Sequence, residues 1–207
     1  KTIKNNLNSI TNSSQETEDI LAKSGIEPSI RAEKIDLDTI LKLSDVYFDF
    51  YNINDLHGKF ADADTNIGVD ELTTYLKTAR EKDENAIFLS TGDMWQGSAE
   101  SNLTKGMIIT DWMNELDFVS MTIGNHEFDW SLDTILAYRD GNKKNGEADF
   151  PFLGANIIQK STSDLPDYVE PYTVIERGGL TIGIIGYIGY GLENDIAIQM
   201  IEYYQFL

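Results

Sequence analysis

The chain has 207 residues, with 35 acidic against 16 basic side chains and a formal net charge of −19 at pH 7. So acidic a surface argues against nucleic-acid binding through a basic face, and no nucleic-acid partner is expected. A hydrophobic content of 41% predicts a globular core. The sequence has no apolar run long enough to span a bilayer. The absence of cysteine excludes disulfides and thiolate metal sites.

The first 44 residues divide into two segments. Residues 1–28, rich in Asn, Ser, Thr and Lys, predict a flexible polar arm. Residues 29–44 carry apolar side chains at roughly helical spacing, which predicts an added helical segment. Such a segment packs on the protein or docks a partner, and packing is favoured. The apolar side chains are Ile35, Leu37, Ile40, Leu41 and Leu43.

Three apolar runs, residues 46–53, 86–90 and 118–123, predict strands, and a short polar loop follows each of them. Between the runs, residues 69–79 and 107–116 place apolar side chains at helical spacing. This alternation predicts an α/β fold with a mainly parallel sheet. Because ligands bind beyond the carboxyl ends of such strands, the three loops mark a candidate site.

These loops hold both histidines of the chain together with carboxylates and an amide. Alternation along an extended segment would put Asp55 and His57 on the same side, where they can hold one ion. Asp93 has two oxygens and can bridge two ions, and Asn125 offers an amide oxygen. Ligands of these types suit Mn, Fe, Zn or Mg. Each residue alone is more often an ordinary turn residue, but their shared position after strands favours a metal site.

Longer strings in the same loops carry a resemblance to a known family. D-x-H at 55–57, G-D at 92–93 and G-N-H-E at 124–127 resemble the calcineurin-like metallophosphoesterase superfamily. The strings around them look like the bacterial 5'-nucleotidase and 2',3'-cyclic-nucleotide phosphodiesterase family. The resemblance covers residues 45–190 and implies a four-layer αββα sandwich, of which about the first half is present in this chain.

The resemblance implies an activity and its cofactors. The activity is metal-dependent hydrolysis of phosphate esters, by a 5'-nucleotidase-like phosphomonoesterase or a cyclic-nucleotide phosphodiesterase. It implies two divalent metal ions, of Mn, Zn, Co, Fe or Mg. Asp55 and His57 would bind the first ion, Asn125 the second, and Asp93 would bridge the two.

By the same resemblance His126 is not a metal ligand. It would act on the phosphate in the transition state, and Asp129 would orient its ring. A neighbouring carboxylate raises the pKa of an imidazole, which keeps it protonated. The family is mostly secreted, periplasmic or surface-anchored, so an extracytoplasmic location is expected.

The chain departs from the family pattern because it has only two histidines, whereas the family adds later ones. One interpretation is that these residues are the first half of an enzyme domain, which the intact His126 and Asp129 favour. The alternative is a noncatalytic metallophosphoesterase-like module with a structural or partner-binding role in a surface assembly.

Residues 191–207 predict a helical C-terminal end that finishes on exposed aromatic side chains. Exposed aromatics there would suit a protein partner or further chain. Among the tryptophans, Trp112 is predicted to pack in the core, while Trp95 and Trp130 lie close enough to the loops to stay open as stacking surfaces for a nucleobase.

Overall fold

The computed structural model describes residues 2–8, 13–23, 25–31, 34, 48–59, 61 and 67–207. The chain divides into two compact units, residues 1–47 and residues 48–207. In the part of the chain that the structure describes, no helix is long and apolar enough to cross a membrane.

The described part of the N-terminal unit contains two short helices, where the composition predicted a flexible arm. Helix α1 spans Ile3–Leu7 and helix α2 spans Ser14–Lys23. A small apolar cluster is formed by Leu7, Leu21, Ile26 and Ile30. Because these few side chains are spread over a polar sequence, composition alone does not reveal that they pack together. The predicted helical segment of residues 29–44 lies almost entirely outside the described residues.

A parallel sheet of four short strands forms the centre of the larger unit. The strands are β1 (Phe50–Ile53), β2 (Ile87–Ser90), β3 (Met121–Thr122) and β4 (Phe152–Leu153). They lie side by side in the order β1-β2-β3-β4, and each neighbouring pair is parallel. The prediction of an α/β fold with a parallel sheet is therefore confirmed.

Helices follow the first three strands, and the apolar spacing had predicted those after the first two. They are α3 (Val69–Lys82), α4 (Ala99–Thr104), α5 (Met107–Glu115) and α6 (Leu132–Ala137). In α3 the buried residues are Val69, Leu76 and Ala79, which recur on one helical face. Trp112 of α5 is mostly buried and donates its Nε1–H to Thr73 Oγ1 of α3 at 2.6 Å. Trp112 is thus a core residue, as predicted.

Two smaller antiparallel sheets follow β4. One is a hairpin of β6 (Tyr172–Arg177) and β7 (Leu180–Ile185), and its turn contains Gly178 and Gly179. Strand β5 (Ile157–Gln159) pairs with β8 (Tyr204–Phe206) near the end of the chain. Because β5 and β8 are far apart in the sequence, no local sequence pattern predicts that they pair.

Helix accounts for only a short part of residues 191–207, which were predicted to be helical. A 3₁₀ turn spans Leu192–Asp195, and helix α7 spans only Ile198–Ile201 before the chain enters β8. The aromatic end is exposed only in part, since Tyr203 is exposed as predicted and two other aromatic residues are covered. Tyr204 is buried and Phe206 packs against the core, because β8 is held against β5. These two aromatic side chains do not form a free docking surface.

Candidate functional site

Three loops meet at the carboxyl edge of the parallel sheet, one after each of β1, β2 and β3. The loop after β1 runs beside the loop after β2, and three backbone hydrogen bonds join them. Asp55 N–H donates to Gly92 O at 3.1 Å, His57 N–H to Asp93 O at 3.1 Å and Gly58 N–H to Met94 O at 2.8 Å. The sequence prediction that the three motifs share one edge is therefore correct.

Asp55 and His57 come together by a different route from the one predicted. Both have left-handed backbone conformations, with φ of 53° and 51°, so the segment is not extended and the alternation argument is wrong. Two left-handed residues turn the chain sharply after β1. The turn still brings the side chains together, with Asp55 Oδ1 3.9 Å from His57 Nε2. The other oxygen of Asp55 accepts a hydrogen bond from Asn54.

A backbone carbonyl determines which nitrogen of His57 is free. His57 Nδ1 lies 2.9 Å from the carbonyl oxygen of Gln96. Because a carbonyl only accepts hydrogen bonds, Nδ1 must carry the proton. In the neutral ring, Nε2 then has an unshared electron pair. Histidines that bind metals are commonly oriented in this way, with the second nitrogen donating to a carbonyl or carboxylate.

Asp93 lies where the loops after β2 and β3 touch. Its backbone is left-handed, with φ of 55°, and its Oδ1 accepts the backbone N–H of His126 at 2.9 Å. Gly124 lies directly against it, and a Cβ on Gly124 would come within 2.4 Å of that same oxygen. The second carboxylate oxygen is not engaged by His126. The close approach of Gly124 to Asp93 Oδ1 explains why the residue before Asn125 is a glycine.

His126 and Asp129 form a close pair at the start of the segment after β3. His126 Nδ1 lies 2.7 Å from Asp129 Oδ2, and both side chains are partly exposed. Burial alone would lower the pKa of His126, but the hydrogen bond and the charge of Asp129 outweigh it. Asp93 and Glu127 add to this effect, so the pKa is raised above its ordinary value. The two histidine rings meet edge to face, with centroids 4.9 Å apart.

Asn125 is 6% exposed and directly precedes the 3₁₀ turn His126–Phe128. It therefore lies in the loop after β3, next to His126 in the chain and at the same edge as the other predicted residues. All six residues that the sequence singled out for the site lie in these three loops, and the contacts given above join those other than Asn125 to one another. The six residues are Asp55, His57, Asp93, Asn125, His126 and Asp129.

Glu127 is the residue of this region to which the sequence analysis gave no role. Its side chain is completely buried and accepts backbone N–H groups from Asp93, Met94 and Gly124. Burial raises the pKa of Glu127 to about 7, with a further contribution from Asp93, while the three hydrogen bonds oppose the shift. The available signal in the sequence was that Glu127 is an acidic residue directly after a buried segment. Charged side chains are seldom fully buried without partners, so this position predicts a carboxylate that accepts hydrogen bonds.

Trp95 and Trp130, which the sequence analysis kept as candidates for stacking on a nucleobase, differ in their surroundings. Trp95 is completely buried, with its ring against those of Tyr138 and Phe152 at centroid distances of 4.8 Å and 5.6 Å. It is a core residue and is not available to stack on a nucleobase. Trp130 is partly buried and packs against the same core.

The donor chemistry of these side chains fits a divalent cation. Two ligands of one ion, each about 2.1 Å from it, lie roughly 3 to 4 Å apart, and Asp55 Oδ1 and His57 Nε2 are 3.9 Å apart. Within the described residues, no three or more His, Cys, Asp or Glu side chains are grouped closely enough to hold an ion. The metal ligands therefore remain predictions, and Asp55 and His57 are the pair whose geometry supports them best.

A parallel sheet with carboxylates and imidazoles at its carboxyl edge suits a metal-dependent hydrolase, because ligands bind at that edge and such side chains bind divalent ions. Residues 48–203 match the profile of the calcineurin-like phosphoesterases, and the chain belongs to that family. This agrees with the resemblance seen in the sequence motifs.

Relatives within this family include nucleotidases. The chain is 35% identical over 161 residues to the snake venom 5'-nucleotidase of Crotalus adamanteus, which covers 77% of this chain and 26% of that protein. It is 32% identical over 154 residues to the 5'-nucleotidase of Rattus norvegicus. That match covers 72% of this chain and 26% of the rat protein. Among solved structures, the NAD nucleotidase of Haemophilus influenzae superposes with a TM-score of 0.62 at 25% identity. That match covers 76% of this chain and 32% of the nucleotidase. The chain thus spans about a quarter to a third of the length of these relatives.

Proposed function

We propose that this protein hydrolyses phosphate esters of nucleotides at a centre of two divalent metal ions. The observation that carries the proposal is the meeting of three loops at one sheet edge, where His57 Nδ1 contacts the Gln96 carbonyl and Nε2 faces Asp55. The names of the relatives, 5'-nucleotidase and NAD nucleotidase, support a nucleotide as substrate. The substrate is a 5'-nucleotide or a cyclic nucleotide.

Four residues of the site would hold the ions. Asp55 and His57 would bind the first ion, Asp93 would bridge the two, and Asn125 would bind the second. When bound, divalent ions neutralise phosphate charge and lower the pKa of water so that it attacks phosphorus near neutral pH. Two protein donors hold the second ion less tightly than a full set would, and water and substrate oxygens would fill the remaining positions of both coordination shells.

His126 would contribute by holding a proton near the phosphate. Its Nδ1–H is donated to Asp129, so that Nε2 is the nitrogen able to donate to a phosphoryl or leaving-group oxygen. The raised pKa favours the protonated ring. Asp129 fixes the tautomer and the orientation of the ring, as a carboxylate beside a catalytic histidine does.

An acidic surface is compatible with binding of phosphate esters only where bound cations neutralise its charge. With a net charge of −19 the protein repels phosphate esters, and two divalent ions at the sheet edge would reverse the local potential. We further propose a location outside the cytoplasm, which the venom origin of one relative supports.

Asp93→Asn tests the site directly. Mn²⁺ binding to the 207-residue chain and hydrolysis of a 5'-nucleotide and an aryl phosphodiester would be measured in the same samples, with Mn, Co, Mg or Zn added. The wild-type chain should bind Mn²⁺ and show chelator-sensitive turnover. Asp93→Asn should weaken Mn²⁺ binding and remove most of the turnover, because a neutral amide replaces the bridging charge.

Asp117→Asn is the matched control, since Asp117 also has a left-handed backbone, with φ of 55°, but follows α5 and precedes β3. It should behave as the wild type does. Equal Mn²⁺ binding and turnover in Asp93→Asn and the wild type would contradict the two-ion assignment. A wild-type chain with neither binding nor turnover would contradict hydrolysis by these residues.

A further inference from the structure

Glu127 joins two of the loops that build the site. It belongs to the loop after β3, yet it reaches the loop after β2 with both carboxylate oxygens. Glu127 Oε1 accepts Met94 N–H at 2.9 Å, and Oε2 accepts Asp93 N–H at 2.9 Å. Oε2 also accepts Gly124 N–H in its own loop at 2.8 Å. The side chain is completely shielded from solvent, so water cannot replace these contacts.

The backbone N–H groups of Asp93, Met94 and Gly124 need a side chain that accepts hydrogen bonds on two oxygens. Buried backbone N–H groups without a partner are costly, and here they point at one carboxylate from two loops. A carboxylate offers acceptors on both of its oxygens. An amide side chain offers an acceptor on one side only and places an NH₂ donor on the other. Glutamine at this position would therefore set a donor against at least one backbone N–H.

Asp93 is consequently held from two sides. Glu127 accepts its backbone N–H, and the backbone N–H of His126 is donated to its carboxylate at 2.9 Å. Both contacts come from the loop after β3, although Asp93 belongs to the loop after β2. They hold a residue whose backbone is left-handed, a conformation that glycine adopts freely and aspartate only occasionally.

We propose that Glu127 is a positioning residue, which sets the direction of the Asp93 carboxylate by locking the loop after β2 onto the loop after β3. This inference rests on the proposed function, in which Asp93 binds metal. Glu127 itself would not touch an ion or a substrate, since its oxygens are occupied by backbone donors in the interior. Its effect would reach the ions only through Asp93.

Glu127→Gln tests the proposal with Mn²⁺ as the probe. Substitution of residues that orient metal ligands typically costs 10–100-fold in metal affinity or activity, so the Mn²⁺ dissociation constant should rise by about 10-fold or more. Amide hydrogen exchange should accelerate at Asp93, Met94 and Gly124. The reference amides are those of Met121 and Ile123, which donate to the neighbouring segment 151–153 and should keep their protection.

Glu147→Gln is the matched control. Glu147 Oε2 accepts the backbone N–H of Gly141 at 2.9 Å, which is the same kind of contact away from the site. This variant should bind Mn²⁺ with wild-type affinity. If Glu127→Gln does not fold, Glu127→Asp keeps the charge but shortens the reach, and the same measurements apply to it with the same expectation.

Three results bear on the inference. Selective loss of protection at the three amides with weaker Mn²⁺ binding supports it. Unchanged Mn²⁺ affinity, or an equal loss of protection at Met121 and Ile123, overturns it, because Glu127 would then be only a general stabilising residue. A wild-type chain that fails to bind Mn²⁺ contradicts the proposed function instead, and the amide exchange still decides whether Glu127 locks the loops.

Discussion

Replacing Gly124 with alanine would put a methyl group into the contact between the loops after β2 and β3. An ideal Cβ at this position lies 2.4 Å from Asp93 Oδ1, 2.8 Å from Asp93 N and 2.9 Å from Asp93 Cγ. Gly124 is not among the residues with positive φ, so alanine causes no backbone strain of its own. The variant therefore reports only on the closeness of the two loops.

The size of the effect follows from these distances. Ordinary van der Waals contact begins at 3.4 Å, so the Asp93 carboxylate must move by 1.0 Å, the difference between 3.4 and 2.4. Overpacking of this kind costs about 1–3 kcal/mol, and loss of the hydrogen bond from His126 adds about 1 kcal/mol. For a chain of this size, each kcal/mol lowers the thermal midpoint by about 2–4 °C. We expect a decrease of several degrees, together with weaker Mn²⁺ binding.

The assay is thermal unfolding followed by circular dichroism, with Mn²⁺ titration of the same samples. Gly183→Ala is the control, because Gly183 lies in β7 with open space around the position of a Cβ. It should shift the midpoint little. If Gly124→Ala has the midpoint and Mn²⁺ affinity of the wild type, the two loops do not approach each other as described and the reasoning is refuted.

Two further predictions concern His126 and Asp129. Asp129→Asn should lower the pKa of His126, followed by NMR titration of the ring, because a neutral amide replaces the carboxylate that raises it. A raised pKa stabilises the fold below the ordinary value of 6.5, and this stabilisation is lost as the pH rises through the folded-state pKa. The wild type should thus exceed Asp129→Asn in thermal midpoint more at about pH 5.5 than at about pH 9, and an equal difference at both would contradict the pairing. His126→Ala should lower kcat by about 10²-fold or more with bound metal unchanged, whereas loss of metal would make His126 a ligand.

Local patterns were sufficient for the central sheet. Apolar runs alternate with helical spacing, and parallel strands joined by helices place their carboxyl ends at one edge. The positions of Asp55, Asp93 and Asn125 at that edge follow from this rule alone. The same kind of reasoning placed Trp112 in the core, since it lies on the apolar face of α5.

Local patterns were not sufficient where distant residues meet. The strand β8 is recognisable only through its partner β5, and the helices of the N-terminal unit only through a few scattered apolar side chains. Trp95 lies beside a site motif in the sequence, yet its ring packs into the core. In each case the secondary structure or burial of a residue depends on which distant residues contact it. Neighbouring residues in the sequence do not specify those contacts.

The sequence by itself determined the family, the parallel sheet and the residue types of the candidate site, because these depend on motif order and on the periodicity of apolar residues. Only the tertiary structure decided how the site is held. The turn at Asp55 and His57, the proton position on His57 and the hydrogen bonds of Glu127 all arise between separate loops. Their geometry depends on the distance between those loops, and that distance exists only after the strands have paired.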